Sequence, residues 1–226
     1  MRVTVLSPSD PGAAVPAEPR KVYDVRDVAA AVCDAESVFE LSPRWAPNMV
    51  TSLAAIEGRT VGVVANQPRS LGGVIDAAGA EKAALVVLVD TPGFMPGRRQ
   101  EEAGVIRHGA SLLRAFAAAT VPKLTVVLRK AYGGAAITMN SRDLGADVVF
   151  SWPGAEIGIM AARQAVGIVH RREIEAGAEG ARDQLADAYA AEHLTAAAAA
   201  AAGFVDEVIE PAETRDRLAF ALRCGG

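Results

Sequence analysis

The stretch LTVVLRKAYGGA, Leu124–Ala135, decides how the rest of this sequence is interpreted. It opens with the apolar run Leu124–Leu128, which predicts a buried strand, and a helix is predicted from Ala135 to about Ser141. The pair Gly133-Gly134 stands between them. Glycine lets a ligand approach the backbone closely, and the first amides of a helix are unpaired donors at the positive end of its dipole. Such a turn can bind an oxyanion, although a lone Gly-Gly is more often a tight turn without a ligand.

Two further apolar runs flank this stretch, Ala84–Asp90 and Asp147–Phe150. Together with a helix predicted from about Gln100 to Ala119, they indicate an α/β protein with parallel strands buried on both faces. Thr91–Gly97 forms a second glycine-bearing turn after a buried strand. Because parallel strands end on one side of a sheet, the two turns could offer two donors to one oxygen. The other interpretation of this loop is a proline-stiffened connector.

The flanking regions complete the predicted organisation. Residues 1–22 are expected to form a flexible arm, because residues 8–20 carry four prolines and no apolar periodicity. Asp24 is predicted to cap a helix, and Glu57-Gly58 is predicted to turn a hairpin. The remaining predicted elements are strands at Met49–Ile56, Thr60–Ala65 and Phe204–Ile209, and helices at Ala161–Arg172, Ala181–Tyr189, Thr195–Ala202 (stopped by Gly203) and Pro211 to about Arg223.

The composition excludes several classes of protein. Of 226 residues, 51% are apolar and the net charge is −4, which suits a globular domain and argues against a nucleic-acid-binding protein. The sequence has no apolar run of membrane-spanning length, and its first residues lack the pattern of a signal peptide. Cys33 and Cys224 lie far apart, and 3 histidines make a metal centre unexpected. We therefore expect a cytoplasmic protein without a metal, a membrane or a nucleic acid as partner.

Several strings resemble the carboxyl-terminal half of the carboxyltransferase component of biotin-dependent acyl-CoA carboxylases. They occur in the order of that family and cover about residues 23–220: Val61–Asp76, Leu88–Gly97, Gly104–Leu113, Ala119–Ala135, Met139–Ile157 and Val205–Arg215. The resemblance implies a crotonase-like fold, in which β-β-α units wind into a superhelix. It further implies a single domain over residues 23–226.

The resemblance also implies a chemistry. In this family carboxybiotin releases CO2, its ureido group removes the α-proton of an acyl-CoA thioester, and the resulting enolate attacks CO2. The residues that match the family's oxyanion amides are Gly134 and Ala135, while Gly133 serves the turn. By the same resemblance, the substrate and cofactor pocket is assigned Gly93, Phe94, Tyr132 and Ile137, of which Ile137 matches a position that helps to select acyl length. This chemistry needs little side-chain acid–base catalysis, in keeping with a sequence that shows no persuasive general base.

The chain corresponds to only half of such an enzyme. The resemblance implies a partner that carries the amino-terminal half, a biotin carboxyl carrier protein, and a homo- or hetero-oligomer. This sequence departs from the family's pattern at two places. The crossover between Asp76 and Ala84 is short, and Arg163-Gln164 add bulk and reverse charge within residues 159–166.

Alternatives remain open for the function and for some residues. The chain could act in a biotin-independent decarboxylase of malonyl-type thioesters, or it could be a structural subunit without catalysis. His108 could protonate an enolate or be structural. Asp90 and Asp143 are expected to cap or pair locally, and Trp152 is expected to pack. Arg129-Lys130 could meet CoA phosphates or a partner's carboxylates, or could be solvated.

Overall fold

The computed structural model describes residues 10–18, 21–41, 43–44, 46–71, 86–176 and 181–224. The strands in these ranges are β1 (Phe39–Glu40), β2 (Met49–Ile56), β3 (Arg59–Asn66), β4 (Val86–Thr91), β5 (Leu124–Tyr132), β6 (Val148–Ser151), β7 (Glu156–Gly158) and β8 (Glu207–Val208). The helices are α1 (Val25–Val32), α2 (Arg98–Glu102), α3 (Val105–Ala118), α4 (Gly133–Thr138), α5 (Ala162–Val169), α6 (Arg171–Ala176), α7 (Ala181–His193), α8 (Ala196–Ala201) and α9 (Thr214–Cys224). In these ranges no helix has both the length and the apolar character that a bilayer crossing needs.

One mixed sheet organises the fold, with the strand order β1-β2-β3-β4-β5-β6-β8. β1, β2 and β3 pair in antiparallel fashion, whereas β3 through β8 pair in parallel. The first part of β5 pairs with β6, and its last part, Lys130–Tyr132, pairs with β7. The predicted hairpin is confirmed, and both residues of its turn, Glu57 and Gly58, have positive φ.

The two faces of the sheet carry separate hydrophobic clusters. In β5, Leu124 and Val126 pack with α1 and α9 on one face, while Val127 and Ala131 pack with α3, α4 and α8 on the other. Because side chains alternate along a strand, both faces of β5 must be apolar when both are covered. This two-sided burial explains the continuous apolar run and confirms the prediction of an α/β fold.

Some predicted helices and strands have different bounds in the structure. The helix predicted from Gln100 to Ala119 is broken into α2 and α3, because Gly104 adopts a left-handed conformation with φ 75°. The strand predicted at Phe204–Ile209 is reduced to β8, and Pro211 opens a 3-10 turn that leads into α9. The Asp76–Ala84 crossover lies outside the described residues.

The helix predicted over Ala161–Arg172 ends earlier than expected. α5 ends at Val169. The backbone of His170 is not helical, and this residue separates α5 from α6. By contrast, the helix predicted to end at Tyr189 continues to His193.

The described part of the predicted N-terminal arm packs against the domain. Pro11–Ala14 forms a 3-10 turn in which Pro11 is buried and the Asp10 carboxylate accepts a hydrogen bond from the Gly12 amide at 2.8 Å. A Cβ placed on Gly12 would lie 2.5 Å from the Cβ of Pro211, so the two segments are in close contact. Within this described part, Pro11 and Gly12 thus contact the domain.

Asp34 joins three elements on the face that carries α1 and α9. Its carboxylate accepts hydrogen bonds from the Glu57 and Gly58 amides at 3.0 and 2.8 Å and from Arg215 Nη2 at 2.5 Å. Partial burial opposes ionisation of Asp34, but the hydrogen bonds from Arg215 and these amides outweigh it and hold the pKa below its usual value. The ionised carboxylate therefore ties the hairpin turn to α9.

We predict that Asp34→Asn destabilises the fold most near neutral pH. A depressed carboxyl pKa stabilises the folded state above the unfolded value of 3.8, and this contribution is lost as the pH falls through the folded pKa. Urea unfolding from pH 7 to pH 2.5 should show the stability difference from wild type shrinking below about pH 4. Arg215→Gln should behave in the same way, and a difference independent of pH would contradict the assignment.

Candidate functional site

A cavity of about 420 Å³ lies where β4 and β5 end, on the face covered by α3, α4 and α8. Its floor is formed by apolar side chains of the strands, including Val89, Val127 and Val149, and its wall contains Gly133 and Gly134. The turn predicted to carry the chemistry therefore does face a cavity. The carboxyl ends of parallel strands create this position, as in other open α/β sheets.

Gly133 is the residue at which strand β5 becomes helix α4. Its φ is +58°, a left-handed conformation that disfavours other residues, and a Cβ there would lie 3.0 Å from the carbonyl oxygen of Ile159. Glycine therefore allows this change of direction at residue 133 without backbone strain and without a tight contact with Ile159. This explains the first glycine of the pair as a requirement of the turn, as the sequence predicts.

The amides of Gly134 and Ala135 belong to the first turn of α4, which has no intrahelical acceptor for them. Within the described residues no side chain caps this helix start. Gly134 is exposed at the cavity, while the Ala135 side chain is buried in the hydrophobic cluster beneath it. The Gly134 backbone thus lies at the cavity wall, and the Ala135 amide follows it in the same unpaired first turn of α4. Unpaired amides of this kind can donate to a carbonyl oxygen that gains negative charge.

Phe94 connects the second glycine-bearing turn to this site. A Cβ on Gly134 would lie 3.7 Å from the Phe94 ring, and a Cβ on Gly109 of α3 would lie 2.8 Å from Phe94 Cζ. The Phe94 ring therefore packs against two glycines. One is Gly134 in the turn Gly133–Ala135, which we call the donor turn, and the other is Gly109 in α3. Gly93 itself has φ +141° and sets the path of the loop, but it does not line the cavity.

The Tyr132 side chain points away from the cavity. Its hydroxyl donates a hydrogen bond to Glu156 on β7, and the ring is buried. Burial, together with this bond and the Glu156 charge, raises the pKa of Tyr132 well above its usual value, so the phenol stays a neutral donor. The resemblance assigns Tyr132 to substrate or cofactor binding, but the structure places its ring against β7 and only its backbone at the turn.

The mouth of the cavity is apolar and open. Ile137 lies there on α4 with 46% of its surface exposed, beside Ile159 and Phe204 at 82% and 50%. The contributions of Ile159 and Phe204 were not predicted, because they depend on β7 pairing with β5 and on the connection from α8. Within the described residues, the ionisable side chains that line the cavity are Arg142 and Asp143, at the end remote from the turn.

A polar cluster adjoins the cavity next to the C-terminus of α4. Thr125 Oγ1 donates to the Asn140 carbonyl at 2.7 Å and accepts from Asn140 Nδ2 at 2.9 Å. Ser141 Oγ also lies at this end, buried and without a hydrogen-bond partner.

The side chain of Arg163, which reverses the charge expected from the family's pattern, does not line the cavity. Arg163 Nη2 pairs with Asp183 of α7 at 3.2 Å, and its carbonyl accepts a hydrogen bond from Arg182. Gln164 is also exposed on α5. The altered residues Arg163 and Gln164 therefore change the surface of α5 and its contact with α7 rather than the donor turn.

Trp152 packs as predicted. It is buried, and its Nε1 donates a hydrogen bond to Thr214 Oγ1 at 2.9 Å.

We predict that Gly109→Ala disturbs the packing of the Phe94 ring against α3. Overpacking costs about 1–3 kcal/mol, which exceeds the gain of about 1 kcal/mol from replacing a helical glycine by alanine. The free energy of unfolding, measured with urea, should therefore fall in Gly109→Ala. The same substitution made in a Phe94→Leu background should cause no loss, and equal effects in both backgrounds would contradict the contact.

Comparison with known proteins places this chain in a family. Residues 4–225 match the Carboxyl transferase domain. The chain is 48% identical to the biotin-dependent acetyl-/propionyl-coenzyme A carboxylase beta6 subunit of Mycobacterium tuberculosis, over 95% of this chain and 49% of that protein. It is 41% identical to the methylmalonyl-CoA decarboxylase subunit alpha of Propionigenium modestum, over 93% of this chain and 43% of that protein.

A solved structure is similar throughout the chain. The crystal structure of transcarboxylase 12S, described as a hexamer assembly with methylmalonyl-coenzyme A and methylmalonic acid bound, has a TM-score of 0.92 and 44% identity. The match covers 98% of this chain and 46% of the 12S chain. The expected crotonase-like fold is thus confirmed, and the chain spans about half the length of the curated relatives it matches. This chain belongs to the carboxyl transferase domain family, and it corresponds to the carboxyl-terminal half of such a protein.

Proposed function

We propose that this chain acts as half of an acyl-CoA carboxyltransferase, with residues 23–226 as one domain. The observation that carries the proposal is the glycine turn at the cavity: Gly133 and Gly134 line a space with apolar walls, and the amides of Gly134 and Ala135 have no acceptor within α4. Preorganised donors in a site of low polarity stabilise a developing oxyanion far better than donors in water do. An enolate-forming reaction needs such a site.

The cavity suits the ureido group of biotin. That group offers one carbonyl oxygen to the two amides and apolar ring surface to the walls, and it requires no charged partner. When bound, carboxybiotin would supply CO2, and the ureido group that the loss of CO2 leaves anionic would be the base for the acyl α-proton. This agrees with a lining in which Arg142 and Asp143 are the ionisable groups among the described residues, both remote from the amides.

The chain's own residues would have separate tasks at this site. The Gly134 and Ala135 amides donate to the biotin carbonyl oxygen and hold its negative charge, while Gly133 keeps the turn in place. Phe94 shields the turn from the side of α3. Ile137 lies at the mouth, where it offers an apolar surface to the acyl group and excludes water from it.

The partners of this half-site are part of the proposal. Because the chain spans about half of its relatives, the CoA pocket and the second oxyanion site would come from a polypeptide that carries the amino-terminal half. A biotin carboxyl carrier protein would deliver the carboxybiotin. The similar 12S subunit is described as a hexamer, which supports an oligomeric assembly here.

A decarboxylase role is the second candidate. The relative from Propionigenium modestum is named as a methylmalonyl-CoA decarboxylase subunit. Loss of CO2 from a malonyl-type thioester also creates an enolate, so the same amides would serve. A structural subunit without catalysis is the third candidate, and it predicts that the donor turn has no effect on the activity of the assembly.

The test uses the chain reconstituted with its amino-terminal partner and a biotinylated carrier. We predict carboxyl transfer from carboxybiotin to acetyl- or propionyl-CoA, and a loss of about 100-fold or more in kcat for Gly134→Val. A valine side chain would block the approach of the carbonyl oxygen to the amides and would press on Phe94.

Gly154→Val is the matched control, because a Cβ on Gly154 meets no atom within 4 Å and the residue lies outside the cavity. It should retain activity. CO2 release from malonyl- or methylmalonyl-CoA without biotin would favour the decarboxylase. Activity that survives Gly134→Val in a folded protein would favour the structural role.

A further inference from the structure

A buried ion pair lies directly behind the two loops of the candidate site. Arg129 Nη2 is 3.1 Å from Asp90 Oδ2, and Arg129 Nε donates to the same oxygen at 3.2 Å. The side chains are only 11% and 2% exposed. Asp90 immediately precedes the turn that leads to Phe94, and Arg129 precedes Gly133 by a few residues on β5. The pair therefore connects the two chain segments that form the site.

The pair sits at an irregularity of the sheet. Val89 lies opposite Val127, whereas Thr91 lies opposite Ala131, so Asp90 alone faces the segment Leu128–Lys130. This bulge is also where β5 changes its partner from β6 to β7. A bulge bends and twists a strand and thereby redirects the chain beyond it. In β5, the chain beyond the bulge is the donor turn.

The polar groups around Asp90 hold the bulge from several sides. Tyr23 donates to Asp90 Oδ2 at 3.0 Å, and the Arg129 guanidinium lies 5.2 Å from the centre of the Tyr23 ring. The Asp90 amide donates to Asn66 Oδ1 at 3.2 Å. Burial raises the pKa of Asp90, and the Arg129 charge opposes this rise.

The backbone of the N-terminal segment accepts hydrogen bonds from the same arginine. Arg129 Nη1 donates to the carbonyl of Lys21 at 2.8 Å and to that of Glu18 at 3.4 Å. Nε and Nη2 of the guanidinium thus contact Asp90, whereas Nη1 contacts backbone carbonyls of the N-terminal segment. A planar cation with five donors can make these contacts together, whereas an ammonium ion cannot reproduce their geometry.

We propose that Arg129 is a positioning residue, whose bonds to Asp90 and to the N-terminal segment hold the β5 bulge and so aim the Gly134 and Ala135 amides at the cavity. What those amides bind rests on the proposed function, but their orientation does not. The surface role considered for Arg129 in the sequence, a contact with CoA phosphates or with a partner, is replaced by this internal one. The N-terminal segment then supports the site rather than extending away from it.

The test compares Arg129→Gln with the matched control Arg215→Gln. Arg215 also forms a largely buried ion pair, with Asp34, but on the face of the sheet remote from the cavity. Backbone amide order parameters of residues 133–135 should be near 0.85 in wild type and in Arg215→Gln, and below about 0.6 in Arg129→Gln. Arg129→Lys should restore them only in part.

In the reconstituted complex, Arg129→Gln should lower kcat by about 10- to 100-fold, because misplaced groups lose catalytic efficiency steeply. The KM for acyl-CoA should change less than kcat does, because in the proposed assembly the CoA pocket comes from the amino-terminal partner. If Arg129→Gln fails to fold, Tyr23→Phe removes one hydrogen bond to Asp90 and should give a smaller change of the same sign in both measurements.

Rigid amides in Arg129→Gln, or equal loosening by Arg215→Gln, would overturn the positioning role. An inactive wild-type complex would count against the proposed function instead. The order parameters do not depend on that activity, so the two failures are distinguishable.

Discussion

The site depends on one backbone constraint, the left-handed conformation of Gly133. This residue ends β5 and begins α4, and its Cα lies so close to the Ile159 carbonyl that a side chain would be in tight contact with it. Because the chain turns within one residue, the first amides of α4 remain beside the strand ends. A wider loop would carry them away from the cavity. The conformation of Gly133 therefore determines the position of both donors.

The apolar surroundings give these donors their strength. Strands β4, β5 and β6 present valine side chains to the cavity, and the ionisable lining residues lie at its far end. In such a setting a hydrogen bond to a charged oxygen is stronger than in water, and the donors need no reorganisation when charge develops. The same apolar character continues to the exposed mouth at Ile137, Ile159 and Phe204. Contiguous exposed apolar surface is typical of interaction sites, in agreement with a half-site that a partner completes.

The sequence predicted the central elements well because their signals are local. Continuous apolar runs identified β4, β5 and β6, the capping residue Asp24 identified the start of α1, and the glycine pair identified the turn between β5 and α4. Failures occurred where a single backbone angle or a distant contact decided the outcome. Gly104 split a helix whose apolar periodicity runs on without a break, and the non-helical backbone of His170 ended α5 before its predicted bound.

The fold class, the family and the place of the donor turn can be read from the amino-acid sequence alone, since they depend on patterns that neighbouring residues carry. The way in which that turn is held depends instead on tertiary contacts. These contacts direct the Tyr132 ring toward Glu156, bring Ile159 and Phe204 to the mouth, and bury Arg129 against Asp90. Each of them joins residues from different elements. Their geometry depends on strand register and on the β5 bulge, which no local pattern in the chain encodes.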